Sequence, residues 1–348
     1  MTPKKRKSLP EPAYLMEDAN SALWVYLEHR GGAISSVSLE LLGKARSLAD
    51  QSDYDVVGLL IGEDLEALAV EAIAYGADEL RLVEDPRLGS FHLEAYTQAA
   101  GQAIITGMPS ILLMGATHDG RDLAGRLAVR LQTGLNADCT DLVLDVERGV
   151  LISEVTGFGG GIIALLECLE HRPQMSTVRP GVFPIPEKDA KRTGNILRID
   201  IDLGEDSFRT ELLESDDHAA IDLTQADILI CGGRGVEGDF ESLYFLAEML
   251  GAEVGATRPP VDDGHIERER QVGQTGVVCR PKVAFCLGIS GAFHFIVGVD
   301  QADLVIAVNS DPEAPIFDYA DYAIVADVKE FLPALKQAVI GQQESTHA

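Results

Sequence analysis

The chain has 348 residues, of which 46% are hydrophobic, and a formal net charge of −28 at pH 7. This length allows two domains, and no apolar run approaches the roughly 20 residues of a membrane-spanning helix. The acidic excess argues against a nucleic-acid binder and fits either a protein that docks basic partners or an adaptation to salt. The five cysteines form no CxxC pair, so we expect neither an iron–sulfur cluster nor a zinc site. No secretory signal opens the sequence, which predicts a cytoplasmic protein.

Residues 20–222 predict an N-terminal α/β domain after a flexible tail, residues 1–19. The tail carries a basic cluster at residues 4–7, which suits either a nuclear-import peptide or a solvated tail. Apolar strand patterns then alternate with amphipathic helical patterns, which is typical of a mostly parallel sheet. The predicted strands are 23–27, 56–61, 80–83 and 111–114, and the predicted helices are 39–48, 65–75, 93–105 and 119–131.

The pattern changes after this alternation. Residues 142–146, 152–155 and 162–168 predict antiparallel strands, which we expect to extend the same sheet. Residues 184–222 contain prolines, charges and one strand-like run, and are the predicted linker.

Residues 223–340 predict a second, doubly wound α/β domain, followed by a tail at 341–348. Its predicted strands are 228–231, 253–256, 283–287, 304–308 and 323–325, and its predicted helices are 240–250, a helix opening at Ser290, and 328–340. In open parallel sheets, ligands bind at the carboxyl ends of the strands. This end of the second sheet is therefore the predicted binding site.

Four glycine-punctuated loops leave or join those strand ends. We call residues 232–235 the first loop, 288–292 the second loop, 272–276 the third loop and 309–317 the fourth loop. Glycine permits tight turns and presents main-chain N–H groups to an anion, as a dinucleotide pyrophosphate requires. In the first domain, residues 115–123 also resemble a nucleotide loop, although Asp119 as a helix cap explains them equally well.

Two arginines in these loops have two interpretations each. Arg234 can clamp a phosphate or form a surface salt bridge. Arg258 can face an anionic ring system or pair with Asp262 or Asp263.

Uncharged and acidic loop residues add hydrogen-bonding groups. Gln274 and Thr275 can bind the edge of a heterocycle, which a plain turn would not explain. Asn309 can hold a ribityl or ribose hydroxyl or form an Asx-turn, and Asp327 can cap the last helix or bind a hydroxyl.

In their order and sequence, these loops resemble the C-terminal signature of the electron transfer flavoprotein alpha subunit, or FixB, family. The resemblance is specific over residues 226–340 and weaker over 20–200. It implies FAD in a C-terminal domain resembling deoxyhypusine synthase, and an N-terminal domain that packs on a separate beta subunit. It also implies electron transfer between acyl-CoA dehydrogenases and a quinone oxidoreductase, nicotinamide or ferredoxin.

The resemblance also implies the cofactor-binding residues. They are Arg234, Thr257, Arg258, Val272, Gly273, Gln274, Thr275, Ser290, Gly291, Ala292, Phe293, His294, Phe295, Asn309, Asp327 and Val328. Arg234 is expected near the phosphates, Arg258 over the isoalloxazine ring, and Thr275 at its N5 edge. Asn309 is expected near the ribityl or adenosine part, and Asp327 and Val328 near the adenine.

One position departs from the family pattern. Where the family has a histidine that bonds the flavin C2 carbonyl, this chain has Phe295, and a histidine stands one residue earlier. Because neighbours on a helix point about 100° apart, we expect His294 to face away from the cofactor. An electron-bifurcating subunit using NADH and ferredoxin, with a second FAD in the beta subunit, remains an alternative. So does a nucleotide-binding regulatory module without redox work.

Overall fold

The computed structural model describes residues 13–157, 162–204, 207–210 and 223–346. The chain divides into two compact units, Met1–Glu214 and Ser215–Ala348. The basic cluster at residues 4–7 and the predicted domain boundary near residue 222 lie outside the described residues. No helix among the described residues is long and apolar enough to cross a membrane.

The first unit is a layered α/β structure. Its strands are β1 (Tyr14–Leu15), β2 (Asn20–Tyr26), β3 (His29–Arg30), β4 (Ala33–Ile34), β5 (Asp55–Gly62), β6 (Glu79–Glu84), β7 (Pro109–Gly115), β8 (Leu135–Cys139), β9 (Asp141–Asp145), β10 (Val150–Gly157), β11 (Ile162–Glu167), β12 (His171–Arg172), β13 (Gln174–Val178) and β14 (Asn195–Arg198). Its helices are α1 (Ser36–Ala49), α2 (Glu66–Ala74), α3 (Leu93–Gly107) and α4 (His118–Leu131).

Seven strands form the main sheet of this unit, in the order β14-β6-β5-β2-β7-β13-β8. Every neighbouring pair in it is parallel. In β5, Val56 and Leu60 enter one core cluster, whereas Val57, Leu59 and Ile61 enter the other. Both faces are therefore buried, which explains why this strand reads as a continuous apolar run. The predicted mostly parallel sheet is confirmed.

We expected the antiparallel strands to extend the main sheet, and this prediction was wrong. β9, β10 and β11 form a separate three-stranded sheet. It packs on the main sheet because Leu142, Leu144 and Leu151 belong to the same core cluster as α1 and α2. Within the predicted linker, β14 pairs with β6 as the edge strand of the main sheet.

The second unit contains one parallel sheet of five strands. Its strands are β15 (Ile228–Gly232), β16 (Glu253–Ala256), β17 (Val283–Leu287), β18 (Val305–Asn309) and β19 (Tyr322–Val325), and its helices are α5 (Phe240–Leu250), α6 (Arg258–Asp262), α7 (Phe293–Ile296) and α8 (Val328–Thr346). The strand order is β16-β15-β17-β18-β19. The chain thus moves to one side of β15 and then to the other, which places a topological switch point between β15 and β17.

Two apolar clusters cover the faces of this sheet. Leu229 and Cys231 of β15 enter one cluster and Ile230 enters the other, which also contains residues of α5 and α8. Cys231 and Cys286 have no exposed surface and are core residues of this sheet.

Two helices differ from their predicted limits. The helix predicted to open at Ser290 is α7, which begins at Phe293 and has four residues. α8 extends through the predicted C-terminal tail as far as Thr346.

Candidate cofactor site

The first two glycine loops touch main chain to main chain at the carboxyl ends of β15 and β17. Gly233 N–H donates to Leu287 O at 2.9 Å, and Gly235 N–H donates to Gly288 O at 3.0 Å. A Cβ on Gly233 would lie 2.3 Å from Gly288 O, and a Cβ on Gly235 would lie 2.7 Å from Gly288 Cα. Only glycine permits so close an approach, so the main chains of these two loops lie in contact at the switch point. We call this contact, between residues 233–235 and 287–288, the ledge.

The third loop packs against α7 in the same way. Gln274 N–H donates to His294 O at 2.7 Å. A Cβ on Gly273 would lie 2.3 Å from that oxygen, and a Cβ on Gly298 would lie 2.4 Å from Gly273 N. The third loop is therefore fixed to the segment that follows the β17 loop.

The fourth loop completes the set. Asn309 Nδ2 donates to Ile289 O at 2.8 Å, while Asn309 Oδ1 accepts a hydrogen bond from Asp311 N–H at 2.9 Å. A Cβ on Gly291 would lie 2.2 Å from Ile316 N, so the fourth loop abuts the second. The Asx-turn interpretation of Asn309 is confirmed, and its amide also ties two loops together.

Arg258 stands at the start of α6, next to the ledge. Thr257 N–H donates to Gly232 O at 3.0 Å, which ties the helix start to the end of β15. Arg258 Nε lies 3.0 Å from Asp262 Oδ2, with the two side chains 67% and 59% exposed. The predicted pairing with Asp262 is thus present. An exposed pair of this kind contributes only about 0–1 kcal/mol, so an anionic ligand can displace it at little cost.

Arg234 is the second cation of the site. It is exposed and forms no ion pair with any residue in the described part of the chain. The surface salt bridge that we considered for Arg234 is therefore not formed with those residues. Its guanidinium remains available to a phosphate.

The histidine that precedes Phe295 hydrogen-bonds another predicted site residue, which argues against the expectation that it faces away from the cofactor. His294 Nδ1 lies 2.7 Å from Gln274 Oε1, and His294 is exposed. Because an amide oxygen only accepts hydrogen bonds, His294 Nδ1–H is the donor. Phe295 is only 5% exposed, and its ring belongs to an apolar core cluster. On α7, therefore, the His294 side chain lies against the third loop and the Phe295 side chain packs in the core.

Sequence reasoning missed Gln271, which lies behind the third loop. Gln271 is 7% exposed, and its Nε2 donates to Thr275 Oγ1 at 2.9 Å. The sequence signal was an uncharged polar residue, Gln271, which stands directly before Val272 and four residues before Thr275.

The remaining predicted residues fall into two groups. Asp327 Oδ1 accepts a hydrogen bond from Lys329 N–H at 2.9 Å, which confirms its capping role at α8. The side chains of Val272, Phe295 and Val328 are at most 5% exposed, so they can reach a ligand at this surface only through their main chain.

The site fits an anionic dinucleotide with a flat ring. The loops bring exposed side chains of Arg234, Arg258, Thr275, Ser290 and His294 to the carboxyl edge of one sheet. The cations suit phosphate groups, and the amide and hydroxyl groups suit the edge of a heterocycle. Phe293 is 42% exposed and adds an apolar ring surface beside them.

The loop in the first unit differs from this site. Thr117, not Asp119, caps α4, since Thr117 Oγ1 accepts from Gly120 N–H at 2.9 Å. The Thr117 hydroxyl also donates to Glu28 Oε2 at 2.7 Å. Burial raises the pKa of the Glu28 carboxyl, although the Thr117 hydrogen bond opposes this effect. The Glu28 carboxyl thus already lies beside Thr117 at the start of α4, which disfavours a phosphate at that position.

Comparisons with known proteins agree with this geometry. A family model described as an electron transfer flavoprotein domain matches residues 23–203, and one described as an electron transfer flavoprotein FAD-binding domain matches residues 222–300. The chain is 41% identical over 321 residues to the electron transfer flavoprotein subunit alpha of Thermoanaerobacterium thermosaccharolyticum, covering 91% of this chain and 97% of that protein. It is 42% identical over 341 residues to protein FixB of Azorhizobium caulinodans, covering 96% of this chain and 91% of that protein. The second unit is thus an FAD-binding domain, and the chain belongs to the electron transfer flavoprotein alpha subunit (FixB) family.

Proposed function

We propose that this chain is the alpha subunit of a heterodimer that carries electrons from acyl-CoA dehydrogenase-type flavoenzymes to a downstream acceptor, such as a quinone oxidoreductase. One observation carries the proposal: four glycine loops meet main chain to main chain at the switch point of the second unit. Their exposed cations and donors surround the place where a doubly wound sheet binds its ligand.

Five side chains of the site have a role in this proposal. Arg234 binds the FAD phosphates, and Arg258 places positive charge near the isoalloxazine ring. Gln274 and Thr275 donate hydrogen bonds to the ring edge, and His294 orients the Gln274 amide. Bound FAD supplies the reversible acceptance and release of electrons.

The proposed beta subunit covers an apolar surface of the first unit, which we call the β11 surface. It consists of exposed side chains of β11 and one of β9, which lies beyond β10 in the same sheet: Ile162 (55% exposed), Ile163 (60%), Leu165 (62%), Leu166 (37%) and Val143 (46%). Side chains on both faces of β11 are exposed, and β11 is also the edge of its sheet. A patch of this kind at a sheet edge is typical of a protein–protein interface.

The partner contact is tested by introducing a charge on the β11 surface. Ile163→Glu should prevent copurification of a tagged chain with its beta subunit, because the carboxylate would be buried without a partner. Val129→Glu is the matched control, since Val129 is 71% exposed on α4. Equal copurification of both variants with the wild-type yield would refute this interface.

The cofactor assignment is tested on the chain coexpressed with the neighbouring gene. The purified protein should be yellow, bleach with dithionite, and release FAD on denaturation. Replacing Arg258 and Thr275 together with alanine should abolish FAD retention after dialysis. Arg268→Ala, an exposed arginine of the same unit, is the control and should retain it.

The outcome of this experiment also separates the alternatives. A double variant that keeps stoichiometric FAD would show that the site is misplaced. Two FAD molecules per heterodimer, with reduction by NADH, would indicate the bifurcating form. A colourless protein that binds another nucleotide would indicate a regulatory module.

A further inference from the structure

Main-chain hydrogen bonds at its base close the third glycine loop. Gly273 N–H donates to Val277 O at 3.0 Å, and Val277 N–H donates to Gln271 O at 2.7 Å. The loop is thereby closed at its base. Gln274 and Thr275 stand at its tip, where Thr275 is exposed.

The buried Gln271 amide orients the Thr275 hydroxyl at this tip. Gln271 Nε2 donates to Thr275 Oγ1 at 2.9 Å. A threonine hydroxyl has one proton and two lone pairs, and the amide N–H occupies one lone pair. The hydroxyl proton must therefore point away from Gln271. The Thr275 hydroxyl can then donate this proton to a group on the side away from Gln271.

Gly276 allows the loop to pass close to residue 271. A Cβ on Gly276 would lie 2.1 Å from the main-chain O of Gln271 and 3.1 Å from its Cγ, so a larger residue at 276 would displace the main chain there. Burying an amide costs free energy unless it is hydrogen-bonded, whereas an apolar side chain would fill the same space without that cost. The polar group at position 271 is thus explained by its bond to Thr275 rather than by packing.

We propose that Gln271 is a positioning residue, which holds the Thr275 hydroxyl as a donor to an acceptor atom of the bound flavin ring. This inference rests on the proposed function, because it needs FAD over the third loop. A donor whose direction is fixed before binding loses less rotational freedom when the ligand arrives. Accepting the amide bond also polarises the O–H group and strengthens it as a donor.

The test is a double-mutant cycle on the holoprotein, with the flavin midpoint potential and visible spectrum as readouts. Gln271→Met keeps the side-chain length and removes the amide, and Thr275→Val removes the hydroxyl. We expect Gln271→Met to retain one FAD and to shift the potential in the same direction as Thr275→Val. Adding it to Thr275→Val should produce no further shift. Gln301→Met, at an exposed glutamine of the same unit, should leave the potential unchanged.

A second variant covers the case in which Gln271→Met loses FAD. Gln271→Glu offers a group that accepts the hydroxyl proton, so Thr275 would present a lone pair to the ring instead of a proton. We expect it to shift the potential as well, and Thr275→Ser to leave the potential near that of the wild type.

Three results would overturn the inference alone, with FAD bound in all of them. They are an unchanged potential in Gln271→Met or Gln271→Glu, an unchanged potential in Thr275→Val, and shifts that add in full in the double variant. A wild-type protein without FAD in its second unit would overturn the proposed function, and this inference with it.

Discussion

Replacing Phe295 with histidine introduces the residue that the family resemblance implies at this position, yet we expect it to damage this protein. Phe295 is 5% exposed, in a cluster with Val272, Ile296 and Ile316. An imidazole there retains part of the ring contacts but buries two polar nitrogens among apolar side chains. Truncating a buried phenylalanine to alanine costs about 3–5 kcal/mol, and burying an unpaired polar group costs about 1–3 kcal/mol. We therefore expect Phe295→His to destabilise the second unit by about 2–4 kcal/mol.

Two optical signals separate the units in one urea titration. The single tryptophan, Trp24, is 1% exposed in the core of the first unit, so its fluorescence reports that unit. Flavin fluorescence reports the second unit. Phe295→His should lower the midpoint of the flavin transition and leave the Trp24 transition unchanged. Phe293→His, the same change at a 42% exposed position of α7, should shift neither by more than an equivalent of about 0.5 kcal/mol. Equal stability of the two variants would refute the assignment of Phe295 to the core.

Three further outcomes follow from the geometry. His294→Ala removes the Nδ1 hydrogen bond to Gln274. We therefore expect an altered visible spectrum of the bound flavin and unfolding midpoints near those of the wild type. An unchanged spectrum would contradict a role for His294 at the ring. Arg258→Ala should lower the flavin midpoint potential by about 30 mV, equivalent to about 1.4 kcal/mol for a two-electron couple, because its charge favours the more negative reduced ring; dye-equilibrated titration measures this. Burial raises the pKa of Glu28 above 4.5, so its ionisation opposes folding as pH rises through the folded-state pKa. Glu28→Gln should therefore stabilise the first unit at pH 7 and have little effect at pH 4, as seen by Trp24 fluorescence, and an equal effect at both values would contradict the raised pKa.

Local patterns predicted the elements of the second unit well, because apolar runs there are bounded by glycine and charge. The limits of α5, β16 and β17 coincide with the predicted 240–250, 253–256 and 283–287. The start of α7 was predicted three residues early. Gly291 has a φ of +89° and abuts Ile316, a contact between loops that no local pattern reveals.

The side-chain network of the site was less predictable for the same reason. His294 bonds a residue 20 positions away, so helical spacing alone could not say which way it faces. Gln271 lies in a loop, where neither strand nor helix periodicity applies, and its partner is fixed by the turn. In the first unit, the antiparallel strands were recognised, but whether they extend the main sheet depends on packing between layers rather than on strand pattern.

Main chain and side chains have different roles at this site. Contacts of Gly233 and Gly291 with neighbouring loops, and of Gly273 with α7, place the main chains so close that no side chain fits between them. Substitution of these glycines must therefore move whole loops, and should abolish cofactor binding rather than tune it. The exposed Arg258 and Thr275 are not needed to hold those loops together, since the loops are joined by main-chain bonds. Changes at these side chains can therefore alter the potential of the flavin while the fold stays intact.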